Sequence, residues 1–260
     1  MEEFREHGHA LIDWLADYWE RVDDLSPMSQ IQPGAIREQL PAQAPENGEP
    51  FEDLIRDLDS IVLPGITHWQ HPSWFAYFPA NASPPSVLAE LASAGLGVQG
   101  MLWSTSPAAT EIESHVLDWL VEMLDLPDSW RTTEKGGGVL QMSASDSTHT
   151  ALVVARHEAA KAGIQAESMV AYASTQTHSS IQKGATVAGY GHVRLIEVDN
   201  EQAMRADALR QAVADDRLNG LTPIFVGATV GTTGTTGVDP VRSIGEICRD
   251  EMLWLSLIHI

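Results

Sequence analysis

The chain has 260 residues, 43% apolar and 20% charged, a balance that suits one or two soluble globular domains and excludes disordered and collagen-like classes. Its 15 Lys plus Arg against 36 Asp plus Glu give a formal charge of -21, so the surface repels phosphate backbones and anionic lipid, and nucleic acid is not an expected partner. A single cysteine, Cys248, closes no internal disulfide, the start Met1-Glu2-Glu3 lacks the features of a secretory signal, and no apolar run approaches the ~20 residues of a membrane span; the expectation is a cytoplasmic protein without a membrane partner.

Phe4, Leu11, Leu15, Tyr18 and Val22, with Trp14 and Trp19 beside them, have the spacing of a helix with one wide stripe to bury. Residues 26–50 hold five prolines and no clear period, so they read as an extended connection. A second helix is expected from Phe51 through Val62, ended by Pro64-Gly65. Neither helix can bury its stripe alone, so both must dock on the rest of the chain or on a second copy. Ser106 and Pro107 read as the N-cap and first position of another helix, whose buried face is Ile112, Val116, Leu117, Leu120, Val121 and Leu124. Short apolar runs at 139–142, 169–173, 193–198 and 224–230 then alternate with helical stretches at 147–162, 203–214 and 240–250. That alternation predicts βαβ units, hence an α/β fold with a mainly parallel sheet and flanking helices.

Three clusters carry candidate chemistry. Residues 136–148 (GGGVLQMSASDST) combine a Gly-rich entry, small hydroxyl side chains and a helix start, a pattern suited to cradling an anion on backbone N–H groups. Residues 229–237 (TVGTTGTTG) follow the strongest strand signal, at the carboxyl end where open α/β sheets bind ligands. Thr177-His178-Ser179-Ser180 puts an imidazole at a strand-to-helix junction, where it can stack on a flat ring or move a proton. Taken singly, each has a plainer reading: a capped helix, a flexible loop, a capping histidine. The other histidines, His7, His9, His68 and His71 among them, show no metal-ligand spacing, so no metal is expected, and neither a G-x-S-x-G elbow nor a Walker A sequence occurs.

Together with residues 71–80 (HPSWFAYFPA) and 103–113 (WSTSPAATEIE), these clusters resemble, in order and spacing, the aromatic-L-amino-acid decarboxylases, the group II pyridoxal-phosphate decarboxylases of fold type I. The resemblance covers almost the whole chain. It implies an N-terminal helical, dimerising segment at 1–82 and a cofactor-binding large domain at 83–255, with pyridoxal 5'-phosphate as cofactor, an aromatic L-amino acid as substrate and a homodimer as the assembly. By resemblance, Ala144 and Ser145 bind the cofactor phosphate, His178 stacks on the pyridine ring and handles protons near the reacting carbon, and Thr233 stands beside the cofactor. Tyr77, Phe78, Pro79 and Met101 match the substrate pocket; Ala80 and Met101 stand where the animal enzymes carry threonine and phenylalanine.

Two family residues have no counterpart. Ile258 occupies the place of the Asp that holds the pyridine nitrogen, and the Schiff-base Lys of the family would lie past Ile260; Lys135, Lys161 and Lys183 match no family motif. Because Leu255 is followed by a departure from the family pattern in mid-strand, residues 256–260 read as a non-native tail and the sheet is expected to end at Leu255. The chain therefore reads as a truncated, inactive piece of an aromatic amino acid decarboxylase. The alternatives are a glutamate or other acyclic amino acid decarboxylase, which shares the cofactor clusters, and a non-catalytic interaction chain.

Overall fold

The computed structural model describes residues 1–77 and 82–259, in two compact units, Met1–Ala92 and Ser93–Ile260. The division falls inside the helix Pro84–Leu96 (α4).

In the first unit, α1 (Glu2–Arg21) starts on Glu2 and Glu3 and ends on Arg21, charges that complement the helix dipole. None of its residues is fully buried, so the expected stripe is only half covered. It faces a cavity of about 530 Å³ walled by Phe4, Leu11, Leu15, Phe51, Leu88 and Leu91, rather than a closed core. The second helix runs as α2 (Phe51–Asp57), a π turn at Leu58–Val62 and a last turn, α3 (Leu63–Gly65). The Leu63 amide donates to the Leu58 carbonyl five residues back, and the wide turn admits Pro64, which has no amide hydrogen, without a break. The connection at 26–50 is irregular apart from a 3₁₀ turn at Arg37–Gln39, and is tied down where Ser29 Oγ donates to the Pro64 carbonyl (2.7 Å) and the His68 amide to the Pro27 carbonyl (2.9 Å).

His68 is 5% exposed, and its Nδ1 shares a 2.9 Å hydrogen bond with the Tyr18 hydroxyl on α1. Burial, and then the neighbouring His71, hold His68 below its ordinary value of 6.5; His68, Arg21 and Asp59 together line a second cavity, of about 450 Å³. The fold thus favours the neutral ring. Stability from this site is complete above pH 6.5 and falls as pH drops through that value, because the unfolded chain takes the proton more readily. Tryptophan fluorescence of Trp14, Trp69 and Trp74 should change below pH 6.5 and His68→Gln should flatten that change; a flat profile in the unaltered chain would contradict the assignment.

The second unit opens with α5 (Pro107–Met123), capped as expected by Ser106, whose hydroxyl accepts from the Ala109 amide (3.3 Å). The run 139–142 forms no strand. Val139, Leu140 and Met142 are exposed, and the Leu140 amide donates to Glu113 Oε1 (2.8 Å) instead of to a neighbouring strand. The other expected strands are present as β1 (Met169–Ser174), β2 (His192–Ile196) and β3 (Thr222–Val230), joined by β4 (Trp254–His259) in one parallel sheet of order β2-β1-β3-β4. The sheet therefore does not end at Leu255: β4 pairs with β3 through Ser256, Leu257 and Ile258. Strand pairing uses backbone groups and an alternating side-chain pattern, which this segment supplies, Leu255 packing on one face of the sheet and Ile258 on the other.

Both faces are covered. The helices α6 (Ala144–Lys161) and α7 (Ser180–Ala188) pack Leu152, Ala155, Ile181 and Ala185 against Met169, Ala171, Ala173 and Phe225. On the other face α8 (Ala206–Leu218) and α9 (Val241–Glu251) pack Leu209, Val213, Ile244 and Ile247 against Val170, Tyr172, Val226 and Ala228. Gly227 is required in β3: a Cβ there would collide with the Ile181 side chain of α7. Burial on both faces explains the near-continuous apolar runs that made these strands readable. No helix among the described residues is long and apolar enough to cross a membrane, and no acidic, His or Cys cluster among them could hold a metal ion.

Candidate active site

The carboxyl ends of β1 and β3 lie side by side and lead into the two loops that carry the hydroxyl and histidine clusters. Thr177 Oγ1 and Thr229 Oγ1, 3.4 Å apart, bridge these ends. The α6 helix starts at the same edge. Its N-cap is Ser143, whose Oγ accepts from the Asp146 amide (3.2 Å) and donates to the Asp146 carboxylate (2.8 Å), a reciprocal cap. Ala144 and Ser145 follow as the first two helical residues, exposed, with amides that precede the first intrahelical acceptor.

His178 precedes α7. The Ser180 amide donates to its Nδ1 (3.2 Å), and the Ser180 hydroxyl lies 3.0 Å from the same nitrogen. An amide can only donate, so Nδ1 presents its lone pair and the ring proton sits on Nε2, which is left for other partners. The histidine caps the helix and holds a fixed ring direction at the same time.

Ser145, Asp146 and His149 of α6 and His178, Ser179, Ser180, Lys183, Gly184 and Val187 of the α7 segment line one open cavity of about 220 Å³. Gly184 lets the two helices approach here, since a Cβ would stand 2.9 Å from Leu152 Cδ1 and 3.6 Å from the His149 Cα. The cavity brings Ser145 and His178 together. Thr233 and Met101 do not line it; Thr233 is half-buried in the 231–237 loop and Met101 is largely exposed. Tyr77, in the first unit, stacks on Trp69 (centroids 5.7 Å) and meets Trp74 in a tilted contact (6.3 Å), with its backbone in the left-handed region at φ 61°. Phe78, Pro79 and Ala80 lie outside the described residues.

The Gly/Thr loop is ordered by its own hydrogen bonds. The Gly231 and Thr232 amides donate to the Gly237 carbonyl (3.2 and 3.0 Å), and Thr232 Oγ1 accepts from the Gly237 amide (2.9 Å). Asp239 closes the loop, accepting from the amides of Thr229 (2.8 Å) and Met204 (2.7 Å). Burial pushes its carboxyl above the usual carboxylate range, with the two amides pulling the other way. Thr232 is thus spent on loop structure, and Thr233 is the hydroxyl next to it on the loop. At the end of β4, Ile258 is paired with Thr229 and offers no group that could hold a pyridine nitrogen.

Residues 33–260 match the pyridoxal-dependent decarboxylase conserved domain. The chain belongs to that family. It is 42% identical over 259 residues to phenylacetaldehyde synthase of Arabidopsis thaliana, covering 97% of this chain and 53% of the relative. It is 41% identical over 265 residues to the aromatic-L-amino-acid decarboxylase of Sus scrofa, covering 97% and 54%. The fold matches Catharanthus roseus tryptophan decarboxylase in complex with L-tryptophan at a TM-score of 0.94 and 38% identity, over 99% of this chain and 56% of that one. Rhodiola rosea 4-hydroxyphenylacetaldehyde synthase matches at 0.95 and 36%, over 99% and 56%. The chain spans about half the length of the curated relatives it matches.

His149 and Lys183 are absent from the residues that sequence reasoning placed in the site. The four-residue spacing from Ser145 to His149, one helical turn, was the available signal.

Proposed function

We propose that this chain forms the phosphate-binding part of a pyridoxal-phosphate-dependent decarboxylase acting on aromatic L-amino acids, working as a homodimer. The observation that carries the reading is the shared cavity of Ser145 and His178 at the carboxyl edge of the sheet, in a chain of this family. The residues present fit the phosphate end of the cofactor. The amides of Ala144 and Ser145 and the Ser145 hydroxyl are small, neutral donors at the positive end of an 18-residue helix. Thr233 would add a hydroxyl from the neighbouring loop. Pyridoxal phosphate, when bound, supplies an electron sink for the pair released as the Cα–carboxylate bond breaks.

The contribution of this chain is positional. His178, its Nδ1 held by the Ser180 amide, presents a ring face for stacking and an Nε2 proton for hydrogen bonding. Tyr77, with Phe78 and Pro79, would wall the substrate side chain, and Met101 would add a flexible apolar contact. The pyridine nitrogen finds no partner at Ile258, so ring-nitrogen binding is not a property of this strand. Relatives named for aldehyde synthesis support a second outcome after the same bond cleavage, in which dioxygen takes two electrons and water replaces the amino group, giving the aldehyde, ammonia and hydrogen peroxide instead of the amine.

The test is a product assay on the full-length protein that carries this chain, with L-Trp, L-Tyr, L-DOPA and L-Glu offered separately. CO2 release with the matching aromatic amine or aldehyde is expected. Turnover of glutamate alone would overturn the aromatic pocket, and no CO2 from any of the four would overturn the decarboxylase reading.

A further inference from the structure

Two cationic or proton-bearing side chains in the α6/α7 cavity have no role in the site as described. Lys183 is exposed on α7, three residues after Ser180, and His149 is half-buried one turn after Ser145 on α6; both line the cavity with Ser145 and His178. Neither makes a hydrogen bond, ion pair or ring contact among the described residues. Lys183 is among the basic side chains that make no ion pair in a protein of charge -21, whereas Lys161, Arg205 and Arg249 are each paired with an acid. The acid in the same cavity, Asp146, is engaged by the Ser143 hydroxyl and faces the helix cap. The cavity therefore offers an unpaired ammonium, an unpaired imidazole and the Ser145 and Ser179 side chains, a donor set suited to an oxyanion.

We propose that Lys183 and His149 extend the phosphate cradle along the α6/α7 groove, so that the phosphate monoester of the cofactor is held by side-chain charge as well as by the helix amides. The inference rests on the cofactor reading above and adds two binding residues to it. An ammonium across a solvated groove from a dianion changes affinity by about three- to tenfold at low salt and less at high salt, as expected for a partly screened charge. An imidazole N–H adds a directional bond of similar size.

The probe is pyridoxine 5'-phosphate, an alcohol that cannot form an imine with lysine, titrated into the purified chain by calorimetry; pyridoxine and inorganic phosphate serve as the two controls. Lys183→Gln and His149→Gln should each weaken pyridoxine 5'-phosphate about three- to tenfold at low salt and leave pyridoxine unaffected; Lys183→Gln should also flatten the salt dependence, with Lys183→Arg restoring affinity. Circular dichroism of each variant should match the unaltered chain, because neither side chain is in a core cluster. Unchanged affinity in both variants overturns the proposal while the cradle at Ser145 stands. Inorganic phosphate that binds with the same sensitivity but is not displaced by pyridoxine 5'-phosphate also overturns it, since the groove then holds a separate anion. Absence of pyridoxine 5'-phosphate binding by the unaltered chain would remove the cofactor reading and this extension together.

Discussion

Asp216→Ala is expected to destabilise the second unit by about 3 kcal/mol, the largest single loss outside the apolar core. Asp216 on α8 is 5% exposed and accepts from the Tyr172 hydroxyl in β1 (2.8 Å) and from Arg194 in β2, through NH2 (2.9 Å) and Nε (3.2 Å). One carboxylate thus ties two adjacent strands to the helix that covers them. Burial, and then the hydrogen bond to Asp216, push the Tyr172 hydroxyl far above its usual range, and the same carboxylate raises Arg194. Removing Asp216 strands a fully buried hydroxyl and a partly buried guanidinium, each without a partner. Removing only the hydroxyl, in Tyr172→Phe, leaves the ion pair intact and should cost about 1 kcal/mol. Urea unfolding followed by circular dichroism measures both; a loss for Asp216→Ala no larger than that for Tyr172→Phe would show that the ion pair contributes nothing.

The layers of the second unit were legible because buried parallel strands and their covering helices write different periods into the chain. Met169, Ala171 and Ala173 face one layer and Val170 and Tyr172 the other, so the run is apolar throughout. The run at 139–142 has the same appearance without the same environment: what makes a strand is a neighbour to pair with, and the Leu140 amide finds a glutamate instead. The reverse error occurred at 256–258, where a departure from the family pattern concealed a segment with ordinary strand alternation. At the site, the chemistry of the clusters was readable but the division of labour within each was not. Three serines lie within residues 143–147, and only geometry assigns the cap to Ser143, leaving Ser145 free. Thr232 and Thr233 are adjacent and identical in type, yet one hydroxyl closes the loop on Gly237. The pairing of α6 with α7 through Gly184 is a tertiary fact, and it alone brings His149 and Lys183 into the same cavity as His178.

Ser145→Asp should lower the affinity of the chain for pyridoxine 5'-phosphate roughly a hundredfold, the largest effect expected at the site. Ser145 is the second residue of α6, where the helix end favours anions, and a phosphate seated there would lie within a few ångströms of the new carboxylate. Two unit charges about 5 Å apart near a protein surface repel by about 3 kcal/mol before salt screening, and the phosphate carries nearly two. The loss of the hydroxyl is a smaller matter: Ser145→Ala removes one neutral donor and should cost about fivefold. Asp146 supplies the internal control. Its carboxylate already sits at the same helix end, held by the Ser143 hydroxyl, so Asp146→Asn should raise affinity a few fold while weakening the reciprocal cap. The expected order of affinity is therefore Asp146→Asn, unaltered chain, Ser145→Ala, Ser145→Asp. A calorimetric dissociation constant for Ser145→Asp within twofold of the unaltered chain would place the phosphate elsewhere, and a fall in affinity on Asp146→Asn would mean that the cap, not the charge, governs this helix end.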